Sequence, residues 1–350
     1  MPKSCSKKID NIRLDETTKK AKAMPFVLQN YKLLKLLKLK PWLSFLRFPN
    51  LLIVALTQYL MRYCTLYLFT DSPIFTEFDF FIMVLATVII AAGGYIINDI
   101  YDYPIDKINK PEKTFINSLI SERNAYWLYI LMNFLVVLSG IYFYIRTGWK
   151  AAYLYPIVGI SMLWLYSYKL KKSVLLGNLT VALFCAFVPF MVYVPEATVA
   201  FPEYELLRNF QVGTTNIMYN IFAAYAAFAF LSTFYREIVK DIEDIDGDKM
   251  YGGRTLPIVF GVQTAKITAL LVGFVLITFI GFVIDWENEF GSLVRVVYAS
   301  IFIALPTIYS LYKLFIAKEK SSFRHVSQVI KMVMLAGLLY LIVLYFDTNL

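Results

Sequence analysis

The sequence predicts an all-α, polytopic membrane protein with about nine transmembrane helices in one bundle. Composition is the first reason, since apolar residues make up 59% of the 350 positions and charged residues 17%, against roughly 25% charged in a typical soluble domain. Length is the second. Runs of about 20 apolar residues recur, and each is long enough to cross a hydrocarbon core about 30 Å thick.

The nine predicted spans follow one another along most of the chain, and each is centred on an apolar run. They cover residues 51–69, 78–97, 126–145, 149–168, 174–194, 217–235, 264–284, 293–315 and 326–346.

Basic residues fall into alternate connections between these spans. The net charge is +9, and Lys and Arg concentrate in the first 47 residues and in every second loop. Cytosolic loops carry such an excess, so we place the N-terminus and the functional site on the cytosolic side, in what we expect to be a bacterial plasma membrane. The charge is therefore a topology signal, and we expect no nucleic-acid partner.

The two ends of the chain differ in character. Residues 1–40 are expected to form a basic, partly disordered segment, without the apolar core of a signal peptide. Within it, residues 31–40 combine lysines and leucines as an interfacial helix on an anionic membrane surface would, although a generic basic flank of the first span fits equally well. Residues 41–350 are expected to form the transmembrane domain.

Two acidic clusters stand at the ends of the second and sixth spans. The first acidic cluster consists of Asp99, Asp102 and Asp106, and the second of Asp241, Asp244 and Asp248. Each has the spacing i, i+3 and i+7, which places three side chains on one face of a helix. Each cluster also follows the second helix of a four-helix set, so two related halves would bring the clusters together across a central cavity.

Carboxylates concentrated beside hydrocarbon are tolerated mainly where they bind something positive. Hard oxygen ligands suit Mg²⁺, which completes its coordination with waters and substrate phosphates. The spacing excludes an EF-hand, while three scattered cysteines and one histidine, His325, argue against zinc and against histidine catalysis. The clusters therefore predict two Mg²⁺ sites that bind a diphosphate at the membrane surface.

Polar and aromatic residues near the clusters could complete such a site. Metal-bound diphosphate is still negative, and cations around it stabilise it as a leaving group. The candidates for binding it are Asn98, Asn109, Lys113, Lys171 and Arg254. Aromatic faces could stabilise a carbocation, although helix packing or lipid contact is the alternative for each of Tyr95, Tyr101, Phe187, Phe230 and Tyr235.

Several motifs in order resemble the UbiA superfamily of intramembrane prenyltransferases, from about residue 43 to the C-terminus. They are Arg47-Phe-Pro49-Asn50, Asn98-Asp99 with Asp102 and Asp106, Asn109-Lys-Pro111, Tyr166-Ser167 with Leu170-Lys171, Gly177-Asn178, Asp241 with Asp244 and Asp248, and Thr255-Leu256-Pro257. The stretch 236–248 is most similar to the geranylgeranylglyceryl-phosphate geranylgeranyltransferase branch. Residues 113–121 depart from the family pattern and leave the acceptor open.

The resemblance implies nine helices around a central cavity and Mg²⁺-dependent transfer of an isoprenyl group from a polyprenyl diphosphate to a lipophilic acceptor in the bilayer. It also implies that each acidic cluster holds one Mg²⁺ and that Asn98 orients the first. Lys113, Lys171 and Arg254 would add positive charge. Tyr166 and Lys171 are catalytic candidates, and Asp102 or Asp241 is the base.

Three other functions compete with a glycerol-phosphate lipid prenyltransferase. Prenylation of an aromatic quinone precursor would use the same chemistry. A divalent-cation transporter would also need carboxylates, but such sites usually lie near the bilayer midplane. Phosphoalcohol transfer from a CDP-linked lipid lacks its Asp-Gly-x-x-Ala-Arg opening here. Prenyl length, oligomeric state and pathway stay open.

Overall fold

The computed structural model describes residues 39–109, 114–200, 214–250 and 252–348. Residues 39–45 are helical, and the helices that follow are α1 (Phe48–Cys64), α2 (Glu77–Asn109), α3 (Glu122–Thr147), α4 (Leu154–Tyr168), α5 (Leu176–Ala200), α6 (Thr214–Glu243), α7 (Ile245–Met250), α8 (Leu256–Phe260), α9 (Val262–Phe290), α10 (Leu293–Tyr298), α11 (Leu305–Ile316) and α12 (Lys320–Thr348). A π-helical segment, Ala299–Ala304, joins α10 to α11.

The predicted all-α bundle of membrane-spanning length is confirmed. Within the described ranges, 8 helical segments are long and apolar enough to cross a membrane, and α4, with 15 residues, is a shorter apolar helix. Each of the nine predicted spans overlaps one of these elements. Residues 1–38, which include most of the expected N-terminal segment, lie outside the description.

The helices leave large apolar side chains on their outer surface. Phe274 and Phe282 on α9 are 66% and 71% exposed, and Phe315 on α11 is 68% exposed. Such side chains would be unfavourable in water. A bilayer is the solvent that suits this surface.

Local signals set the ends of several helices. The hydroxyl of Ser121 accepts a hydrogen bond from the backbone N–H of Asn124 at the start of α3. Gly148, with φ of 69°, ends the same helix in the left-handed conformation that glycine adopts without strain. Pro104 lies inside α2, yet the helix continues to Asn109 and so carries the whole first acidic cluster.

Helix α2 packs against α1, α3 and α4, while α6 packs against α5, α9 and α12. Helix α1 also contacts α5 and α12, which joins the two sets. Helix α2, which carries the first cluster, and α6, which carries the start of the second, thus each lie at the centre of a group of helices, as expected for two related halves.

Candidate active site

The first acidic cluster occupies the C-terminal part of α2, as its spacing predicts. Asp99 accepts a hydrogen bond from the Arg47 guanidinium at 2.7 Å, and its side chain is only 13% exposed. Arg47 lies just before α1, and its guanidinium carbon stands 4.6 Å from the centre of the Tyr95 ring. Tyr95 in turn accepts a hydrogen bond from Asn50 at 3.3 Å. One carboxylate of the cluster is therefore held beside a cation from another helix.

Asp102 is held by two further residues. The Lys171 amine donates to Asp102 Oδ1 at 2.5 Å and to Asn98 Oδ1 at 3.1 Å. The Asn98 amide donates to Asp102 Oδ2 at 2.8 Å. The three side chains form a closed triangle, which places Lys171 at the first cluster. Burial lowers the pKa of the Lys171 amine, and the negative charge of Asp102 opposes that shift.

The second acidic cluster is not carried by one continuous helix, in contrast to the expectation from its spacing. Helix α6 ends at Glu243 and α7 begins at Ile245, so Asp241 and Asp248 lie on different helices. Asp244 forms the junction, where its N–H donates to Lys240 O at 2.9 Å and its carbonyl accepts from Asp248 N–H at 3.0 Å. The backbone therefore keeps helical hydrogen bonds on both sides of the interruption.

Asp241 is oriented by an amide instead of a cation. The Asn178 side chain, on α5 and 8% exposed, donates to Asp241 Oδ2 at 2.8 Å. This contact joins the first turn of α5 to the end of α6. A neutral donor fixes the carboxylate without neutralising its charge.

Both clusters lie at the same end of the bundle and face common neighbours. The Tyr166 phenol, at the end of α4, interacts electrostatically with Asp102 of the first cluster and Asp241 of the second. The backbone N–H of Arg254 donates to Lys172 O at 3.0 Å, which ties the loop after the second cluster to the loop that carries Lys171. This hydrogen bond places the loops beside the two clusters at the same end of the bundle.

The Lys171 loop is fixed by a close helix contact. A Cβ atom on Gly177 would lie 2.9 Å from Lys171 Cα and 3.1 Å from Leu170 O. Only glycine leaves room for the loop to approach α5 so closely. The start of α5 therefore positions both Lys171 and Asn178.

Other predicted residues are placed differently. Arg254 is exposed, and its backbone N–H forms the hydrogen bond to Lys172. Lys113 lies outside the described residues, and Asn109 is described only in its backbone, as the last residue of α2. Tyr235 is fully buried in the packing core around α6 and α9, and Phe187 is 58% exposed.

Three further residues lie near the clusters. The sequence shows Arg47 and Asn178 only as parts of motifs, and it predicts no role for Glu237. Glu237 lies one turn before Asp241 on α6 and interacts electrostatically with Asp241, Tyr166 and Tyr95. Its i−4 spacing from Asp241 was the available signal. Pairings with Arg47 and Asn178 depend on helix packing, which spacing does not reveal.

The carboxylates of the two clusters fit Mg²⁺ that is only partly coordinated by the protein. Carboxylate oxygens are its preferred protein ligands. In the described part of the chain, however, no three acidic, histidine or cysteine side chains converge as a ready metal cage. A hard cation that takes one or two carboxylates and completes its shell with water and substrate phosphate matches such an arrangement.

Comparison with known proteins gives relatives with the same fold. Digeranylgeranylglyceryl phosphate synthase from Pyrococcus furiosus is 35% identical over 183 residues, which are 52% of this chain and 57% of that protein. The match thus spans little more than half the length of this relative. A solved digeranylgeranylglyceryl phosphate synthase gives a TM-score of 0.65 at 22% identity, over 87% of this chain and 98% of that one. A UbiA homolog from Archaeoglobus fulgidus bound to GPP and Mg²⁺ gives 0.54 at 14% identity, over 86% and 99%.

A match over most of the chain fixes the family. Residues 59–343 match the UbiA prenyltransferase family, a range that begins within α1, ends within α12 and includes both acidic clusters. The resemblance predicted from the motifs is confirmed: the chain belongs to the UbiA prenyltransferase family.

Proposed function

We propose that this integral membrane protein transfers an isoprenyl group from a polyprenyl diphosphate to a lipophilic acceptor. One observation carries the proposal: two clusters of carboxylates lie at one end of the bundle, with Lys171 and Arg47 bound to the first. A cation alone would not require those basic groups. A diphosphate with its metal ions would use the carboxylates to bind the metal and the basic groups to bind the phosphate oxygens. This favours a prenyltransferase over a cation transporter.

Each acidic cluster would hold one Mg²⁺, directly or through water, with Asp99, Asp102 and Asp106 on one side and Asp241, Asp244 and Asp248 on the other. Bound Mg²⁺ would neutralise charge on the diphosphate as it leaves. The structure of the Archaeoglobus homolog with GPP and Mg²⁺ supports this choice of metal and donor class.

The chain's own residues would orient the donor and neutralise its charge. Lys171 and Arg47 would donate to diphosphate oxygens while Asn98 and Asn178 keep Asp102 and Asp241 in orientation. Arg254 and Lys113 would add charge from the neighbouring loops. Loss of diphosphate would leave an allylic cation, which the acceptor oxygen or carbon attacks. The acceptor proton would pass to Asp102 or Asp241, and Tyr166 at the end of α4 would be a further catalytic group.

The acceptor is proposed to be a glycerol-phosphate lipid and the donor geranylgeranyl diphosphate. The relative from Pyrococcus furiosus, named for digeranylgeranylglyceryl phosphate, supports this choice. An aromatic quinone precursor is the alternative acceptor. Because the relatives are archaeal, they give no support to the expected bacterial source, while a cytosolic orientation of the site stays part of the proposal.

The test is prenyl transfer by the purified protein with labelled geranylgeranyl diphosphate, Mg²⁺ and either geranylgeranylglyceryl phosphate or 4-hydroxybenzoate. We expect a labelled ether lipid with the first acceptor only, and no product in EDTA. Label in the aromatic acceptor alone would replace the acceptor assignment. Absence of transfer to any acceptor, with the protein folded and Mg²⁺ present, would overturn the proposed activity.

A further inference from the structure

A cavity lies at the end of the bundle that carries the acidic clusters, where α11 turns into α12. Its volume is about 420 Å³, and it is lined by Tyr309, Lys313, Ile316, Ser321, Ser322 and His325. We name it the α11–α12 cavity. None of its lining residues belongs to the acidic clusters or contacts them in the interactions described above.

The lining is rich in hydrogen-bond donors and includes no carboxylate. The Lys313 amine lies 5.5 Å from the centre of the Tyr309 ring, and the Tyr309 hydroxyl is 3.2 Å from His325 Nε2. Two serines, Ser321 and Ser322, line the cavity from the first turn of α12. Ammonium, imidazole, phenol and serine hydroxyl groups together match the oxygens of a phosphate.

The surrounding charge favours an anion. Lys266 on α9 donates to the carbonyl of Ala317, the residue after Ile316, at 2.9 Å. Lys318 and Lys320 flank the turn in sequence and are exposed. The acidic neighbour is Glu319, also exposed, which accepts from the Ser321 hydroxyl at 3.4 Å. Counting Lys313, four lysines surround this turn against one glutamate.

The position of the cavity identifies the source of the phosphate. Ile316, which lines it, is 45% exposed, and Tyr312 and Phe315 on the same helix are 58% and 68% exposed. The cavity therefore opens beside an apolar outer surface at the end of a membrane-length helix. A phosphate attached to acyl or isoprenoid chains can place its head in the cavity and its chains along α11.

We propose that the α11–α12 cavity binds the phosphate group of an anionic membrane lipid, separately from the diphosphate site. Lys313 supplies the charge, and Tyr309, His325 and the serines supply hydrogen bonds. Arg324, the residue before His325, donates to Glu243 at 2.8 Å. A bound lipid thus lies one residue from the contact that joins α12 to the end of α6.

The test measures lipid binding to the full-length protein in neutral detergent by native mass spectrometry. Dioleoyl phosphatidylglycerol, dioleoyl phosphatidylcholine and inorganic phosphate are supplied separately. We expect the wild type to bind the anionic lipid in preference to phosphatidylcholine, and Lys313→Met to lower that affinity about fivefold, the effect of one lysine near an anionic surface. His325→Gln should weaken it as well.

A charge-matched control separates this site from general attraction to anionic lipid. Lys150 is exposed in the connection between α3 and α4, at the opposite end of the bundle, so Lys150→Met should leave the affinity unchanged. Equal losses in Lys313→Met and Lys150→Met, or no loss in folded Lys313→Met and His325→Gln, would overturn the site. Binding of inorganic phosphate without binding of the lipid would overturn the lipid as its occupant.

Discussion

The two acidic clusters differ in how their carboxylates are held. Asp99 and Asp102 are paired with the cations Arg47 and Lys171, whereas Asp241 is oriented by the neutral Asn178 amide. The negative charges of these two carboxylates are therefore already balanced by neighbouring cations. In the second cluster, Asp241 lies one helical turn after Glu237 and accepts from a neutral donor, so a bound cation would balance the acidic charge on this side.

Lys171 is the basic residue whose removal should affect transfer most directly. Replacing it by Met removes the ammonium beside Asp102 and leaves developing charge on the diphosphate without its fixed donor. We expect kcat to fall about 100-fold or more, which is typical for loss of one preorganised donor. Steady-state kinetics with saturating Mg²⁺ would measure the change.

The next residue provides the control for that substitution. Lys172 is exposed, and its backbone N–H and carbonyl form hydrogen bonds with Lys169 and Arg254. Lys172→Met should therefore keep kcat within a few-fold of the wild type. If Lys171→Met and Lys172→Met lowered kcat by the same factor, Lys171 would act only as a general positive charge.

Asn178 is a positioning residue for the second cluster. Asn178→Leu removes the donor to Asp241, and the Mg²⁺ concentration needed for half-maximal activity should rise about 10-fold or more, as is common when a neighbour that orients a metal ligand is lost. Thr180→Val is the matched control on α5, since the Thr180 hydroxyl is bonded to the carbonyl of Leu176 in its own helix. A Mg²⁺ requirement that rises equally in both variants would contradict the role of Asn178.

At the scale of elements, the short connection between α4 and α5 determines where Lys171 lies. Gly177 lets this connection approach α5, and Gly177→Ala would place a methyl group 2.9 Å from Lys171 Cα. Overpacking of this kind usually lowers stability by about 1–3 kcal/mol. We expect a lower melting temperature and a reduced kcat in the same variant.

Gly281 serves as the comparison for this substitution. It lies within α9, and an added Cβ there would meet nothing within 4 Å. Gly281→Ala should therefore leave kcat unchanged and stabilise the helix slightly. The role of the Gly177 contact would be contradicted if Gly177→Ala behaved in the same way.

The sequence predicted the helices better than the contacts between them. Apolar runs located every span, and charge in the loops brought Lys171 to the right end of the molecule. The interruption at Asp244 could not be predicted, because the i, i+3 and i+7 spacing continues across it. Arg47 and Asp99 are 52 positions apart, and Asn178 and Asp241 are 63 apart. Such pairings depend on which helices are neighbours, and spacing along one helix does not contain that information.

At the scale of the whole molecule, the N-terminal ends of α1, α5 and α12 meet the C-terminal ends of α2 and α6. The contacts Arg47–Asp99, Asn178–Asp241 and Arg324–Glu243 show this arrangement. All the candidate catalytic groups therefore lie at one end of the bundle. Within the described residues, the lysines of the predicted cytosolic loops, such as Lys172 and Lys318, lie at the same end.

The orientation in the membrane can be tested with single cysteines. After replacement of Cys5, Cys64 and Cys185 by Ser, Lys172→Cys and Lys150→Cys lie at opposite ends of the bundle. A membrane-impermeant maleimide applied to intact cells should label position 150 and spare 172, because the basic loops are expected in the cytosol. The reverse pattern would place the site outside the cell.

The central claim is that the two acidic clusters act as a single diphosphate site. The direct measurement is Mg²⁺-dependent prenyl transfer by Asp99→Asn, Asp241→Asn and the double variant, with Asp71→Asn in an exposed loop as the control. Residues that act as a unit are strongly non-additive. We predict that each single variant loses transfer almost completely, that the double variant is no worse, and that Asp71→Asn retains activity. Losses that multiply in the double variant, or full activity in either single variant, would contradict the claim.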